Sequence, residues 1–146
     1  MKAWLLLCCL FILDQPTWLT DITEARKLAS EKNQHILLNF SGSDWCVPCM
    51  RMKKDFFESQ DFTAYAAANL VLLKADFPRS RKNKLTPDQE KKNEALADKY
   101  NPLGKFPYTL LLDADGRVIS SWEGCPDMKP GEFVEQIRTK QYGKNG

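Results

Sequence analysis

The stretch Trp45-Cys46-Val47-Pro48-Cys49 decides how this chain is interpreted, because it places two cysteines two residues apart. It follows the apolar run of residues 36–40 across a short polar loop, and it opens a segment that can be helical. Two thiols at this spacing on a helix N-terminus can close into a disulfide and reopen. The free N–H groups there also lower the pKa of the first thiol, because they stabilise a thiolate. The motif therefore indicates a redox dithiol whose chemistry is thiol–disulfide exchange.

Length and composition are those of one globular domain with a core of its own. The chain has 146 residues, of which 43% are hydrophobic and 27% are charged. The net charge of +2 is too small to indicate binding to nucleic acid or to an anionic membrane. We therefore expect no nucleic-acid partner.

The N-terminus has the pattern of a targeting segment. Lys2 gives a positive start, residues 3–13 are apolar, and Pro16 closes the run. As a helix this run would span about 16 Å, too short for a bilayer core of about 30 Å. We predict a signal peptide over residues 1–16 and a folded domain over residues 17–146. A buried N-terminal helix or a lipid anchor on Cys8 or Cys9 are the alternatives.

Hydrophobic periodicity and capping residues predict helices that alternate with strands. Thr20 or Asp21 caps the first helix, Asp61 the third, and Thr86 with Pro87 the fourth. The predicted helices cover residues 17–33, 46–58, 61–68, 86–100 and a last stretch after 129–131, and the strands cover residues 36–40, 70–75, 108–112 and 117–122. An Asp-Gly turn joins the last two strands as a hairpin. The pattern predicts an α/β sheet with helices on both faces.

A second motif, Phe106-Pro107-Tyr108-Thr109-Leu110, lies about sixty residues after the cysteine pair. With the turn at residues 113–116 and Gly124 before the last helix, these motifs resemble the thioredoxin-like superfamily over residues 17–141. Within it, the chain looks close to the exported thioredoxin-like proteins of bacteria. It implies a thioredoxin fold, in which a central mixed β-sheet is flanked by helices.

The resemblance also implies roles for particular residues. Cys46 would be the exposed nucleophile and Cys49 the buried resolving thiol of a redox-active disulfide. Pro107 would be a cis-proline facing that disulfide, and the backbone of Phe106 would pair with bound substrate. Trp45 would shield the disulfide and contact substrate. No cofactor is implied.

Three departures from thioredoxin set this chain apart. Asn39 stands where thioredoxins carry a buried acid, if the loop of residues 41–44 holds a one-residue insertion. The Val-Pro dipeptide resembles exported reductants of the TlpA type more than the Pro-His of oxidants or the Gly-His of isomerases. The Gly-Ser-Asp-Trp-Cys run and a charged insertion at residues 77–93 resemble a periplasmic subgroup that includes the DsbH-type reductases.

These features predict a periplasmic oxidoreductase that reduces protein disulfides. An oxidase or isomerase with the same site, or a binding module whose redox activity is incidental, are the alternatives. The partners implied are disulfide-containing exported proteins and a membrane thiol donor of the DsbD type, and we expect a monomer. Zinc needs four ligands, and outside the motif only His35 and Cys125 remain, so we expect no metal.

Several other side chains have two interpretations each. Cys125 is either a partly buried small residue or a modulator beside the dithiol, and Asp44 either organises its loop or tunes the thiolate. His35, Trp18 and Trp122 are expected to be structural. The cations of the insertion, which are Arg79, Arg81, Lys82 and Lys84, predict a solvated surface, with a binding patch as the alternative.

Overall fold

The structure, a computed structural model, describes residues 15–143. Apart from Gln15 and Pro16, the predicted signal peptide lies outside the described residues, as do Cys8 and Cys9. Within the described part of the chain, no helix is both long and apolar enough to cross a membrane.

A five-stranded mixed sheet forms the centre of the fold. Its strands are β1 (Trp18–Leu19), β2 (His35–Ser41), β3 (Leu70–Asp76), β4 (Tyr108–Leu112) and β5 (Val118–Glu123). They lie in the order β1-β3-β2-β4-β5, and the first two pairings are parallel and the last two antiparallel. This topology confirms the predicted thioredoxin fold with its central mixed sheet.

Strand β2 is the middle of the sheet and leads into the cysteine motif. Its residues 36–41 are all buried, as expected for a strand covered on both faces. Asn39 lies opposite Lys74 on β3 and opposite Thr109 on β4. The register therefore places polar side chains of three strands in one row, near the end of β2 from which the cysteine loop departs.

Five α-helices cover the two faces of the sheet. They are α1 (Ile22–Lys32), α2 (Val47–Arg51), α3 (Gln60–Asn69), α4 (Pro87–Tyr100) and α5 (Pro130–Gln141). A π-helical segment, Met52–Phe57, continues directly from α2. Helices α1 and α4 bury side chains against one face of the sheet, whereas the π-helical segment, α3 and α5 do so against the other.

At two of the helices, the residues predicted to cap the N-terminus do so. The carboxylate of Asp21 accepts the N–H of Thr23 at 2.8 Å, and the hydroxyl of Thr86 accepts the N–H of Gln89 at 3.2 Å. Because these oxygens satisfy N–H groups that have no partner inside the helix, they fix where α1 and α4 begin. The predicted caps Asp21 and Thr86 are confirmed.

The predicted hairpin between β4 and β5 is also confirmed. The N–H of Asp113 donates to the carbonyl of Arg117 at 2.9 Å, and Gly116 has a φ of +85°. Glycine adopts such a positive φ without a steric penalty, which is why the Asp-Gly pair identified this turn.

Two local predictions were wrong. Trp18 and Leu19 do not begin a helix; they form β1 by pairing with Leu72 and Leu73, a long-range contact that overrides local periodicity. Asp61 is not a cap, because the Ser59 hydroxyl accepts the N–H of Phe62 at 3.2 Å and starts α3 earlier. The helix predicted over residues 46–58 is present but changes from α to π geometry at residue 52.

Candidate active site

The two cysteines of the motif form a disulfide at the start of α2. Cys46 is the N-cap of this helix, Cys49 lies in its first turn, and their Cα atoms are 5.2 Å apart. The Cys46 sulfur accepts the N–H of Cys49 at 3.3 Å, so a helix N–H group points at it. The exposed fractions of Cys46 and Cys49 are 4% and 3%, so the expected difference in exposure between them is wrong for this disulfide form.

Local sequence explains why the helix starts at this point. Pro48 lies in the first turn, where its missing N–H would have had no intrahelical partner and its fixed φ suits a helix. The N–H groups of Trp45 and Cys46 both donate to the carbonyl of Gly42, at 3.2 Å and 2.9 Å. This turn brings the chain from β2 onto the first residue of α2.

The Trp45 side chain is fixed by contacts on three sides. Its Nε1–H donates to the carbonyl of Phe77 at 2.7 Å, and its ring packs edge-to-face on Phe106 with centroids 5.4 Å apart. Its indole also covers Gly42 so closely that a Cβ there would lie 2.2 Å from a ring carbon. Gly42 is therefore required by this packing, a role that no spacing rule in the sequence indicates.

The second motif reaches the first through Trp45. The Phe106–Pro107 peptide bond is cis, as the resemblance implied, and Pro107 is buried. The carbonyl of Pro107 accepts the N–H of Gly124 at 2.9 Å, which ties the start of β4 to the end of β5. The structure therefore brings together two motifs that lie about sixty residues apart in the chain.

Behind the disulfide lies a cavity of about 260 Å³. Its lining includes Cys49, Asn39, Lys74, Lys53 and Glu58. The side chain of Asn39 is 4% exposed, and its Nδ2–H donates to the Thr109 hydroxyl at 3.0 Å. The buried position on β2 therefore carries a satisfied neutral amide, which cannot accept a proton from Cys49.

Asp44 organises the loop that follows β3. Its carboxylate accepts the N–H groups of Arg79 and Ser80, both at 2.9 Å, and the Asn83 amide at 3.0 Å. These hydrogen bonds hold the pKa of Asp44 below its ordinary value. The Arg79 N–H has the largest effect, followed by the Asn83 amide and the Ser80 N–H. Of its two interpretations, the structure therefore supports loop organisation.

Cys125 lies half-buried beside α2. The Nε–H of Arg51 donates to its sulfur at 3.4 Å, and this contact raises the pKa of Arg51. The residue therefore touches the helix that carries Cys49.

The remaining aromatic and histidine predictions concern packing. Trp18 packs edge-to-face on Phe57, and Trp122 does the same on Phe133, with centroids 4.9 Å and 5.5 Å apart, which confirms their structural roles. His35 begins β2, and burial lowers its pKa. It lies at the far end of the strand from the cysteine loop, about 20 Å away at the rise of an extended chain.

Among residues 15–143, no group of three or more His, Cys, Asp or Glu side chains is placed to hold a metal ion.

Fold and site together define a class of protein. Residues 22–140 match the thioredoxin-like domain family, and the chain belongs to that family.

Its relatives narrow the comparison further. The chain is 33% identical over 97 residues to "Disulfide bond reductase DsbH" of Chlamydia pneumoniae, an alignment that covers 66% of this chain and 57% of the relative. It is 29% identical over 106 residues to "Thioredoxin-related protein DsbJ" of the same organism, covering 73% of this chain and 30% of that one. The chain thus spans less than two thirds of either relative. A solved structure of a DsbH oxidoreductase superposes with a TM-score of 0.80 at 25% identity, covering 89% and 87% of the two chains.

Proposed function

We propose that this protein is a thiol-disulfide oxidoreductase of the DsbH type, which reduces disulfides of exported proteins. One observation carries the proposal: Cys46 and Cys49 form a disulfide at a helix start where the Cys46 sulfur accepts a backbone N–H at 3.3 Å. The same N–H favours a thiolate after reduction, because it donates a hydrogen bond to the charged sulfur.

In the proposed reaction, Cys46 is the nucleophile. Its thiolate attacks one sulfur of the substrate disulfide, an S–S bond forms between Cys46 and that sulfur, and the other substrate sulfur leaves as a thiolate and takes up a proton. Cys49 then loses its proton and attacks the Cys46 sulfur, which releases the second substrate thiol. Two electrons have passed to the substrate, and the Cys46–Cys49 disulfide has formed.

Substrate would bind over the surface formed by Trp45 and the cis-proline segment. The indole of Trp45 is fixed against Phe106, so the two motifs form one continuous wall beside the disulfide. We assign the backbone of Phe106 to pairing with the substrate chain and Pro107 to shaping the groove. Val47 is 72% exposed and Met50 42% exposed, which gives the helix start an apolar rim for an unfolded or extended substrate.

Renewal of the dithiol needs an external donor. The oxidised pair must be reduced again by another dithiol, and a membrane thiol donor of the DsbD type fits that need. Export through a signal peptide at residues 1–16, a periplasmic location and a monomeric state complete the proposal. The Val-Pro dipeptide and the name of the relative, a disulfide bond reductase, both favour the reducing direction.

Reduction of insulin by the purified protein with dithiothreitol as donor tests the activity. We expect turnover by the natural chain, none above background for Cys46→Ala, and a trapped mixed disulfide for Cys49→Ala. Cys125→Ser is the matched control and should retain turnover. Activity that survives Cys46→Ala would overturn the assignment, and no turnover by the natural chain would favour a binding module.

Equilibration with glutathione tests the direction. A reductase is expected to have a potential near the thioredoxin value of about −270 mV, whereas a potential near the DsbA value of about −120 mV would make the protein an oxidant.

A further inference from the structure

The insertion after β3 is attached to the active-site loop by several independent contacts. Besides the three bonds to Asp44, the last residue of β3, Asp76, accepts the hydroxyl of Ser43 and also its N–H, the latter at 2.9 Å, directly before the insertion begins. The N–H of Phe77 donates to the carbonyl of Ser41 at 2.9 Å. We call residues 77–85 the basic loop. Its position relative to the disulfide is therefore set by the residues that immediately precede Cys46.

The basic loop carries four exposed cations close together, at Arg79, Arg81, Lys82 and Lys84. Within residues 15–143, none of these side chains forms a salt bridge. The charge of Asp44 is already satisfied by two backbone N–H groups and one amide.

The loop and α4 border a cavity of about 330 Å³, whose lining includes Arg79, Arg81, Lys84, Glu90 and Glu94. Three cations of the loop and three carboxylates, Asp76, Glu90 and Glu94, therefore border this space, and their charges cancel. The exposed Lys82 lies outside the lining and makes the local sum positive by one. All four cations are exposed, whereas Asp76 is half-buried and already accepts the N–H and the hydroxyl of Ser43.

The cations border the wall to which we assign substrate binding. The Arg79 guanidinium carbon lies 3.7 Å from the centroid of the Trp45 ring, and Phe77 packs on Phe106 with centroids 5.6 Å apart. Trp45 therefore has Phe106 on one side and a cation on another. A polypeptide lying across Trp45 would have its flanking residues within reach of the loop.

We propose that the basic loop selects substrates whose disulfide is flanked by acidic residues. This inference rests on the proposed function, since it names the class of polypeptide that the dithiol reduces. Opposite charges near a reacting surface raise the rate of productive encounter, and the effect weakens as salt shortens the range of the field. The loop acts by binding and takes no part in the exchange of electrons.

The test compares two peptides that contain the same disulfide-closed loop, flanked by glutamates in one and by glutamines in the other. The second-order rate constant for reduction of each by the reduced protein is measured in low and in high salt. The site variant is Arg81→Gln/Lys82→Gln/Lys84→Gln, which leaves Arg79 on Trp45. The control variant is Lys27→Gln/Lys32→Gln/Lys140→Gln, which removes equal charge from exposed positions on α1 and α5, neither of which lines the cavity.

At low salt, we expect the natural chain to reduce the acidic peptide about tenfold faster than the neutral one. This preference should fall to about twofold or less at about 1 M salt, where the Debye length is about 3 Å. The site variant should lose the preference in low salt and reduce the neutral peptide at the natural rate, whereas the control variant should keep the preference. The potential of the dithiol should be the same in all three proteins.

Equal losses in both variants, or no preference in the natural chain, would overturn the inference while leaving the reductase assignment intact. If neither peptide is reduced, the proposed function fails as well. Sedimentation with vesicles containing phosphatidylserine provides a further arm. If the natural chain binds these vesicles while the site variant does not, and the two peptides are reduced at the same rate, the basic loop binds an anionic membrane. That result would contradict the proposal.

Discussion

The two cysteines of the disulfide have different neighbours. Next to Cys46, residues 44 and 45 form hydrogen bonds with a segment more than thirty residues away in the chain, whereas Cys49 lines a cavity. On the outer side, Trp45 and Asp44 bind the loop that follows β3, and the neighbouring side chains are aromatic or charged. On the inner side, a neutral amide at Asn39 and an amine at Lys74 share a cavity with the Cys49 sulfur. The two sulfurs of one disulfide therefore have different surroundings.

The difference separates two tasks that a dithiol must perform. The outer side is built for a fixed shape, because its contacts hold the aromatic wall in one position. The inner side must take a proton from Cys49 without a carboxylate on β2, so the acceptor is either solvent that enters the cavity or Glu58, the carboxylate in its lining. Because different residues form the two sides, substitutions can alter one side at a time.

The largest effect is expected for Gly42→Ala, which alters the outer side. A Cβ at this position would lie 2.2–2.6 Å from three atoms of the Trp45 indole, so the ring must leave its site and lose its bond to Phe77. We expect the free energy of unfolding to fall by about 3 kcal/mol, the upper part of the range for overpacking. Urea denaturation followed by tryptophan fluorescence measures it.

Gly131→Ala is the matched control for that change. Its Cβ would approach only the Asp61 carboxylate, at 3.3 Å, and that side chain can move. Because alanine favours the helical backbone of α5 at this position, the free energy of unfolding should not fall and should rise by up to about 1 kcal/mol. Equal losses in the two variants would show that Trp45 is not held as described.

The inner side is altered by Asn39→Asp, which places a carboxyl beside Cys49. Burial raises the pKa of such a group, so the folded state resists its ionisation. The variant should therefore lose stability as the pH rises from the unfolded carboxyl pKa of about 3.9 towards the raised folded pKa. At pH 7 we expect a loss of about 2 kcal/mol, and a faster attack of Cys49 on the mixed disulfide, since a base is then available.

Denaturation over a pH series and stopped-flow decay of the mixed disulfide check both effects. Asn101→Asp is the control, because Asn101 is also 4% exposed and hydrogen-bonded, yet it lies outside the cavity lining. It should lose stability without changing the decay rate. Identical decay rates in Asn39→Asp and the natural chain would contradict a proton-accepting role for this position.

A smaller, local effect is expected when Asp44 is protonated. Its pKa is lowered in the folded state by the Arg79 N–H, the Asn83 amide and the Ser80 N–H. The stability it contributes is therefore present above the ordinary value of 3.8 and is lost as the pH falls through the lowered folded pKa. Hydrogen exchange of the Arg79 and Ser80 amides should report this loss.

Asp44→Asn should remove the protection of the Arg79 and Ser80 amides from hydrogen exchange at neutral pH. The exchange protection of these amides should then no longer change with pH in the acid range. Asp21→Asn is a suitable comparison, since the pKa of Asp21 is also lowered, chiefly by its bond to Lys92, but at the start of α1. Unchanged protection of Arg79 and Ser80 in Asp44→Asn would disprove the anchoring role.

The smallest effect is expected for Cys125→Ser. Serine keeps an acceptor for the Nε–H of Arg51, and the residue is only half-buried. The free energy of unfolding should stay within about 0.5 kcal/mol of the natural value. Insulin turnover should also be retained; a loss together with an unchanged fold by circular dichroism would make Cys125 a modulator of the dithiol.

Much of the fold could be predicted because its signals are local. The Thr86-Pro87 start of α4, the Asp-Gly turn and the apolar runs of β2 and β3 each depend on residues close in sequence. The pairing of the two motifs was available only through the family resemblance.

The missed features depend on contacts between residues far apart. β1 exists because it pairs with Leu72 and Leu73, and the constraint on Gly42 appears only once the indole of Trp45 is placed. The position of Ser59 rather than Asp61 as the cap shows a second limit. Both residue types suit a helix start, so composition alone cannot choose between positions two residues apart.

The π-helical segment Met52–Phe57 holds one residue more than an α-helical turn of the same span. Its bond from the Glu58 N–H to the Lys53 carbonyl, at 2.9 Å, closes a wider turn than an α-helix has. Removing one residue from such a turn restores α geometry and leaves the residues on either side close to their present orientations. Since Phe56 and Phe57 are anchored in the core, the cysteines would keep their place at the helix start. A single-codon deletion here would thus spare the site, although it lies only a few residues from Cys49.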